Sequence, residues 1–217
     1  MVSRDTIFWE VDTQYDFMLP GGKLYVPGAE KLIPNVKRLT DAAREGRVFL
    51  MSDADRHTPQ DPEFNVWPPH CLAGTQGAEI IPEGLAEKSY VVPNRAGATL
   101  PEDLSRYQQV VIEKQTLDVF DNPNTDALLA RLATIAEKDA EFVVFGVVTE
   151  YCVRCASKGL LERGRRVALV TDAIETIDPA KGRGTLEELM SKGARLITTD
   201  QALALVETAR AEHQRTA

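Results

Sequence analysis

The residues of this chain best suited to covalent chemistry are Cys152, Asp12 and Lys114. Cys152 follows a continuous apolar run at 142–148, and after it Val153, Ala156, Leu160 and Leu161 recur at helical spacing. That pattern predicts a buried strand running into a helix, with Thr149 as the N-cap, Cys152 in the first turn and Gly164 as the stop. In a first turn, unpaired N–H groups and the positive end of the helix dipole favour thiolate, the form that attacks a carbonyl carbon. Cysteine is also among the most buried residue types, so a single cysteine at a strand end proves nothing alone. The chain has three cysteines. Cys152 and Cys155 form a lone C-x-x-C, readable as a redox pair or half a zinc site, but neither a second C-x-x-C nor a full ligand set accompanies it. Cys155 is therefore read as core on the same helix, and Cys71 is left unassigned.

Asp12 closes the β-branched and aromatic run TIFWEV, and Lys114 closes a second run at 109–112. In an open parallel sheet, groups at the carboxyl ends of strands meet along one edge, where ligands bind. Any one of them has a plain reading as a strand end or a helix cap, which is how Asp172 and Asp200 are read. Together they have the parts a thiol nucleophile needs. Asp12 accepts the thiol proton and later passes it to a leaving amine, and Lys114 holds the negative charges in place. The backbone N–H groups of Val148 and Cys152 would face the oxyanion of a tetrahedral intermediate. The reaction class is acyl transfer from an amide to water through a thioester.

A second group of residues is Asp55, His57, Glu63 and His70. Asp-x-His puts two side chains on one side of an extended segment, and imidazole with carboxylate suits zinc, iron(II) or manganese. The shortage of Cys and His ligands points to a site with an open position. Asp53 or Asp61 could replace one of these ligands, since acidic loops also form turns.

The elements that must position these groups alternate. Strands are predicted at 6–11, 47–52, 89–92, 109–112, 142–148, 166–170 and 195–198, with helices at 29–45, 126–138, between Thr149 and Gly164, at 186–192 and at 201–210. The order implies an α/β chain, a three-layer α/β/α sandwich on a mainly parallel sheet. Between them, 53–82 is polar, crowded with Pro and Gly, and holds two of the three histidines, which argues for a functional loop. With 217 residues, 43% hydrophobic and 27% charged, the chain suits one domain over 1–217 with a core that needs no disulfides. A net charge of −8 argues against nucleic acid and anionic membrane as partners. No apolar run reaches transmembrane length, and MVSRDTIFWEVD leads directly into a strand rather than a signal peptide, so a reducing cytoplasm is expected. The partner expected is a small molecule; oligomeric state is left open, and a homo-oligomer is compatible with all of this.

In these motifs the chain resembles the cysteine amidohydrolases of the isochorismatase-like superfamily, and among them the nicotinamidases. VDTQYDF resembles the first-strand motif, with Asp12 at the triad aspartate and Phe17 at a substrate-lining aromatic. Lys114 falls at the triad lysine. GVVTEYCVRCAS resembles the nucleophile motif, which implies Cys152 as nucleophile and a cis peptide between Val147 and Val148. The resemblance also implies a divalent metal, zinc first, on Asp55, His57, Glu63 and His70, and a ring-stacking role for Trp67. In such enzymes the metal binds the pyridine nitrogen of nicotinamide, and hydrolysis to nicotinic acid and ammonia serves NAD salvage. Two departures bear on substrate: Arg56 stands where nicotinamidases usually have an aromatic, and KQTLDVFDNPN lacks their glycine and Ser/Tyr-rich run after the lysine. Hydrolysis of another small amide, and a non-catalytic binding domain on this fold, are the alternatives. The first strand ends in Asp12-Thr13-Gln14 rather than the D-x-D of an aspartyl phosphatase, and no G-x-G-x-x-G of a dinucleotide-binding strand follows it.

Overall fold

The computed structural model describes residues 2–216, with side chains for 2–207; Met1 and Ala217, the ends of the expected 1–217 domain, lie outside it. The strands are β1 (Thr6–Val11), β2 (Phe49–Asp55), β3 (Ser89–Val92), β4 (Gln109–Lys114), β5 (Glu141–Gly146), β6 (Arg166–Ile174) and β7 (Arg195–Ile197). They form one 7-stranded sheet in the order β3-β4-β2-β1-β5-β6-β7. Every pairing in it is parallel. The helices are α1 (Tyr15–Met18), α2 (Ile33–Arg44), α3 (Thr125–Arg131), α4 (Arg154–Glu162), α5 (Pro179–Ser191) and α6 (Thr199–Thr216).

Side chains alternate across each strand, so the apolar runs feed two cores. Ile7, Trp9, Val11, Met51 and Val144 pack with Leu128 of α3, Ala156 and Leu160 of α4 and Leu189 of α5. Phe8, Leu50, Val143 and Phe145 pack on the other face with Val36 and Leu39 of α2 and Ala202 and Val206 of α6. This is the expected three-layer α/β/α sandwich with both faces of the central strands covered. Among the described residues no helix is long and apolar enough to cross a membrane.

Several boundaries differ from the sequence reading, for identifiable reasons. β2 runs to Asp55 rather than residue 52, because Asp53 and Asp55 keep pairing with Ile112 and Lys114 of β4. β6 continues to Ile174, with a bulge relative to β5. α5 begins at Pro179, where the Asp178 carboxylate caps the Ala180 and Lys181 N–H groups at 2.9 and 3.2 Å. Gly182 and Gly184 hid that start by breaking the helical signal. The helix expected at 126–138 stops at Arg131 and tightens into a 3₁₀ turn at Leu132–Thr134.

A carboxyl group lies inside the sheet. Glu10 is fully buried on β1. It accepts from Thr13 Oγ1 at 2.6 Å, Ser52 Oγ at 2.8 Å and Gln109 Nε2 at 3.0 Å. Burial pushes its pKa up to about 7, against the lowering effect of those hydrogen bonds. A folded-state pKa above the unfolded 4.5 means that the native chain holds the extra proton between those values, so stability falls as pH rises through that window. Glu10→Gln should therefore gain stability relative to the parent protein as pH rises from 5 to 7, by about 1.4 kcal/mol per unit at the steepest. Urea denaturation across that range measures it; parallel curves for the two proteins would mean Glu10 does not titrate there.

Candidate active site

Four strand ends meet at the carboxyl edge of the sheet. Asp12 follows β1 directly, with φ 48°, a left-handed conformation that Asp tolerates better than most residues. Its N–H donates to the Asp53 carbonyl at 3.1 Å. Register places Asp55 of β2 beside Lys114 of β4. β5 ends at Gly146, φ 117°, where a Cβ would stand 2.0 Å from the Val11 carbonyl oxygen, so only glycine lets β5 close on β1. The Val147–Val148 peptide is cis. A π-helical turn, Thr149–Val153, then carries Cys152 ahead of α4. The predicted cap is corrected here: Val148 precedes the turn, and Thr149 lies inside it. Thr149 instead donates its N–H and hydroxyl to the Glu175 carbonyl, at 2.8 and 2.7 Å.

Lys114 is the cation on which these groups converge, and it is 1% exposed. Its Nζ donates to Asp12 Oδ2 at 2.8 Å and to Asp55 Oδ1, and stands 3.6 Å from Cys152 Sγ. Asp53 Oδ1 lies 4.0 Å away, its other oxygen accepting from Trp9 Nε1 at 2.7 Å. Asp12, Lys114 and Cys152, which stand at or past the ends of β1, β4 and β5, thus meet around one ammonium. Burial lowers the Lys114 pKa, but Asp12 and Asp55 outweigh it and hold the ammonium charged. Asp53 is raised to about 7 by burial.

The surroundings of the sulfur work against the thiolate that a helix first turn would favour. Burial first, and then the Asp12 charge, push the Cys152 thiol well above its ordinary range, more than Lys114 lowers it. Asp12 is itself raised well above the ordinary carboxyl range, by burial and by the charge of Asp55. Asp12 Oδ1 is buried and without a hydrogen-bond partner. Among the described residues no carbonyl accepts from the Val148 N–H.

Beside Asp12, Lys114 and Cys152, potential ligand atoms of Asp55, His57, Glu63 and His70 all lie within 4.8 Å of one another. A parallel bridge between His57 and Leu72 brings the two histidines together, with His57 N–H on the Cys71 carbonyl at 3.0 Å and Ala73 N–H on the His57 carbonyl at 2.9 Å. The donor set suits a divalent cation. His70 Nδ1 lies 2.8 Å from the Pro68 carbonyl, which can only accept, so Nδ1 carries the proton and Nε2 the lone pair. His57 Nδ1 is 3.0 Å from Asp61 Oδ2, and its Nε2 is buried without a hydrogen-bond partner. Both Nε2 atoms face Asp55 Oδ2, at 3.6 and 3.5 Å. Asp55 thus holds Lys114 with one oxygen and faces the imidazoles with the other. Asp61, weighed from sequence as a substitute ligand, orients His57 from behind.

Sequence reading missed the residues that hold this arrangement. The Gln14 side chain pairs with Asp55 as a strand would, accepting from its N–H at 2.7 Å and donating to its carbonyl and to that of Ala78, each at 2.7 Å. Asp16 Oδ2 accepts the Cys71 N–H at 2.7 Å, in a space that a Cβ at Gly77 would invade at 2.2 Å. Cys71 is fully buried, and burial raises its thiol, so it is inert packing beside His70. Cys155 is a free, half-buried thiol on α4. Arg56 points away from the site, pairing with Glu79 at 2.9 Å and Glu113 at 3.5 Å.

A cavity with about 350 Å³ of empty space opens above the sulfur, lined by Cys152, Val148, Phe17, Trp67, Asp55, Glu63 and His70. Leu24, Val26, Leu117, Tyr151 and Ile177 complete its wall, and none of the lining residues is a lysine or arginine.

Comparison with known proteins agrees with this architecture. The Isochorismatase domain profile matches residues 7–104 and 85–201. The nicotinamidase of Escherichia coli (strain K12) is 23% identical over 209 residues, covering 87% of this chain and 92% of its own. Among solved structures, the pyrazinamidase of Pyrococcus horikoshii in complex with zinc superposes with a TM-score of 0.70 at 27% identity, covering 89% of this chain and 99% of that one. PnC1 from L. infantum in complex with nicotinate gives a TM-score of 0.71 at 23% identity, covering 92% and 96%. A profile match running from β1 to the start of α6 shows that this chain belongs to the isochorismatase-domain family.

Proposed function

We propose that this protein is a metal-dependent cysteine amidohydrolase that converts nicotinamide and water to nicotinic acid and ammonia. The observation that carries this reading is the single buried ammonium of Lys114, within reach of the Asp12 carboxylate, the Cys152 sulfur and the Asp55 carboxylate of the metal-ligand cluster. The likeness to nicotinamidases and to a zinc-bound pyrazinamidase supports the choice of amide and of metal.

Asp12 takes the thiol proton as the sulfur attacks the amide carbon, and a C–S bond forms while the carbonyl oxygen becomes an oxyanion. The Val148 and Cys152 N–H groups receive that charge. Asp12 returns the proton to nitrogen, the C–N bond breaks, and ammonia leaves a thioester on Cys152. Water then attacks the thioester as Asp12 takes its proton; the C–S bond breaks, Asp12 returns that proton to the leaving sulfur, and nicotinic acid departs. Lys114 stays protonated throughout and offsets the negative charge on Asp12 and sulfur. Asp55, His57, Glu63 and His70 would hold the cation, which supplies a coordination position for the ring nitrogen and so orients the carboxamide over the sulfur. Phe17 and Trp67 flank the ring. The wall without cations favours a neutral amide over one bearing a carboxylate.

Ammonia and nicotinate release from nicotinamide by the purified protein is the direct test. Turnover is expected, and dialysis against a chelator should lower it at least about tenfold, with zinc restoring it. Absence of turnover in the zinc-loaded protein would reject the reading, and full activity after verified metal removal would reject its metal part.

A further inference from the structure

The segment between the end of β6 and Pro179 of α5 contributes Ile177 to the cavity lining and is tied to the turn that carries Cys152. Thr149 donates twice to the Glu175 carbonyl, as described above. Glu150 reaches further along the same segment. Its Oε2 accepts the Thr176 hydroxyl at 2.6 Å, and its Oε1 accepts the N–H groups of Ile177 at 3.0 Å and Asp178 at 2.8 Å. Glu150 is 9% exposed, so these bonds are made away from bulk water, where they hold best. Gly182 sits close behind Thr176, where a Cβ would lie 2.5 Å from its hydroxyl oxygen. The segment is therefore held from both sides.

Ile177 is the side chain that this anchoring presents. It lines the cavity and is nevertheless 45% exposed, which puts it at the mouth. Its own N–H is one of the groups bound by Glu150, so the residue cannot withdraw without breaking that bond. We propose that Ile177 is a specificity-determining residue that limits the width of the acyl group reaching Cys152, and that Glu150 is the positioning residue that keeps it there. The acyl groups admitted are flat and single-ringed or short, while a fused second ring or an aryl substituent on the Ile177 side is turned away. For its consequence in catalysis this rests on the amidohydrolase reading; the cavity itself can be probed without it.

The probe is alkylation of Cys152 by iodoacetamide and by the wider N-phenyl iodoacetamide, with the modified residue located by peptide mass. Both reagents deliver the same carbon to the same sulfur, so their rate ratio reports access. In the natural protein the wide reagent should be disfavoured by at least about tenfold after correction for its intrinsic reactivity. Ile177→Ala should remove most of that discrimination while leaving the iodoacetamide rate in place. Glu150→Ala should do the same. Glu150→Gln should keep the natural ratio, because its amide oxygen still accepts the two N–H groups and Thr176 has a second acceptor in the Asp178 carbonyl at 3.0 Å. A loss of structure alone would speed both reagents together. Should Ile177→Ala fail to fold, Ile177→Val gives the same reading with a smaller shift. An unchanged ratio in the Ile177 variants overturns the assignment, and an unchanged ratio in Glu150→Ala overturns the part given to Glu150. Size-selective alkylation in a protein that hydrolyses no nicotinamide would retain the cavity wall and reject the hydrolase; turnover of nicotinamide with an insensitive ratio would do the reverse.

Discussion

Cys152→Ala is expected to lower nicotinamide turnover by a factor on the order of 10⁴ or more, because no other group at the site can form the acyl intermediate. Asp12 and Lys114 remain in the variant, but a base and a cation without the sulfur leave only water to attack, unpositioned. The metal cluster does not include the sulfur, so zinc should bind the variant as it binds the parent protein. That separates loss of nucleophile from loss of site. A second observable identifies the intermediate: with hydroxylamine in place of part of the water, the parent protein should release nicotinohydroxamic acid, and Cys152→Ala none. If the variant keeps more than about a tenth of the parent rate, the thioester route is wrong. Asp12→Asn should also be nearly inactive, since it keeps the shape of the side chain but cannot hold the thiol proton at Oδ1.

The framework was legible in the sequence because each strand is a short apolar run bounded by turn residues, and every predicted strand has a counterpart in the sheet. Asp55 and His57 were legible for a related reason: alternate residues of an extended segment share a side. What sequence could not convey is burial of charge. Glu10 and Glu150 read as ordinary polar positions, and Lys114 as a charge at a strand end, yet all three are buried. Their partners lie far away along the chain: Ser52 and Gln109 for Glu10, Asp12 and Asp55 for Lys114, and residues 176–178 for Glu150. Only the assembled sheet supplies those partners, and without them the same residues would face water. The thiol is a similar case. A helix dipole is a local property that sequence reveals, whereas the desolvation and the carboxylates that outweigh it at Cys152 are not. Arg56 shows the opposite case: a departure at a motif position suggested an altered pocket, but strand alternation turns its side chain outward to Glu79 and Glu113.

Lys114→Met should destabilise the metal-free protein by about 3 to 5 kcal/mol at pH 8, the usual cost of removing one partner from a buried charge pair. Methionine fills much of the same volume, so packing contributes little and the loss is electrostatic. The variant leaves Asp12, Asp53 and Asp55 buried together with no cation among them. Asp55 is held well below the ordinary carboxyl range against its burial, chiefly by the charge of Lys114. With that charge gone, burial and the neighbouring carboxylates should raise its pKa above the unfolded value. A carboxyl raised in this way binds a proton in the folded state that it releases on unfolding, so stability falls as pH climbs through the interval between the two pKa values. The deficit of Lys114→Met should therefore be larger at pH 8 than at pH 5, and urea denaturation of both proteins in the presence of chelator reads it directly. Asp12→Asn combined with Lys114→Met should recover part of the loss, since one of the uncompensated charges is then absent. A deficit below about 1 kcal/mol that does not change with pH would show that the carboxylates do not depend on Lys114, and the triad would lose the charge balance on which its chemistry rests.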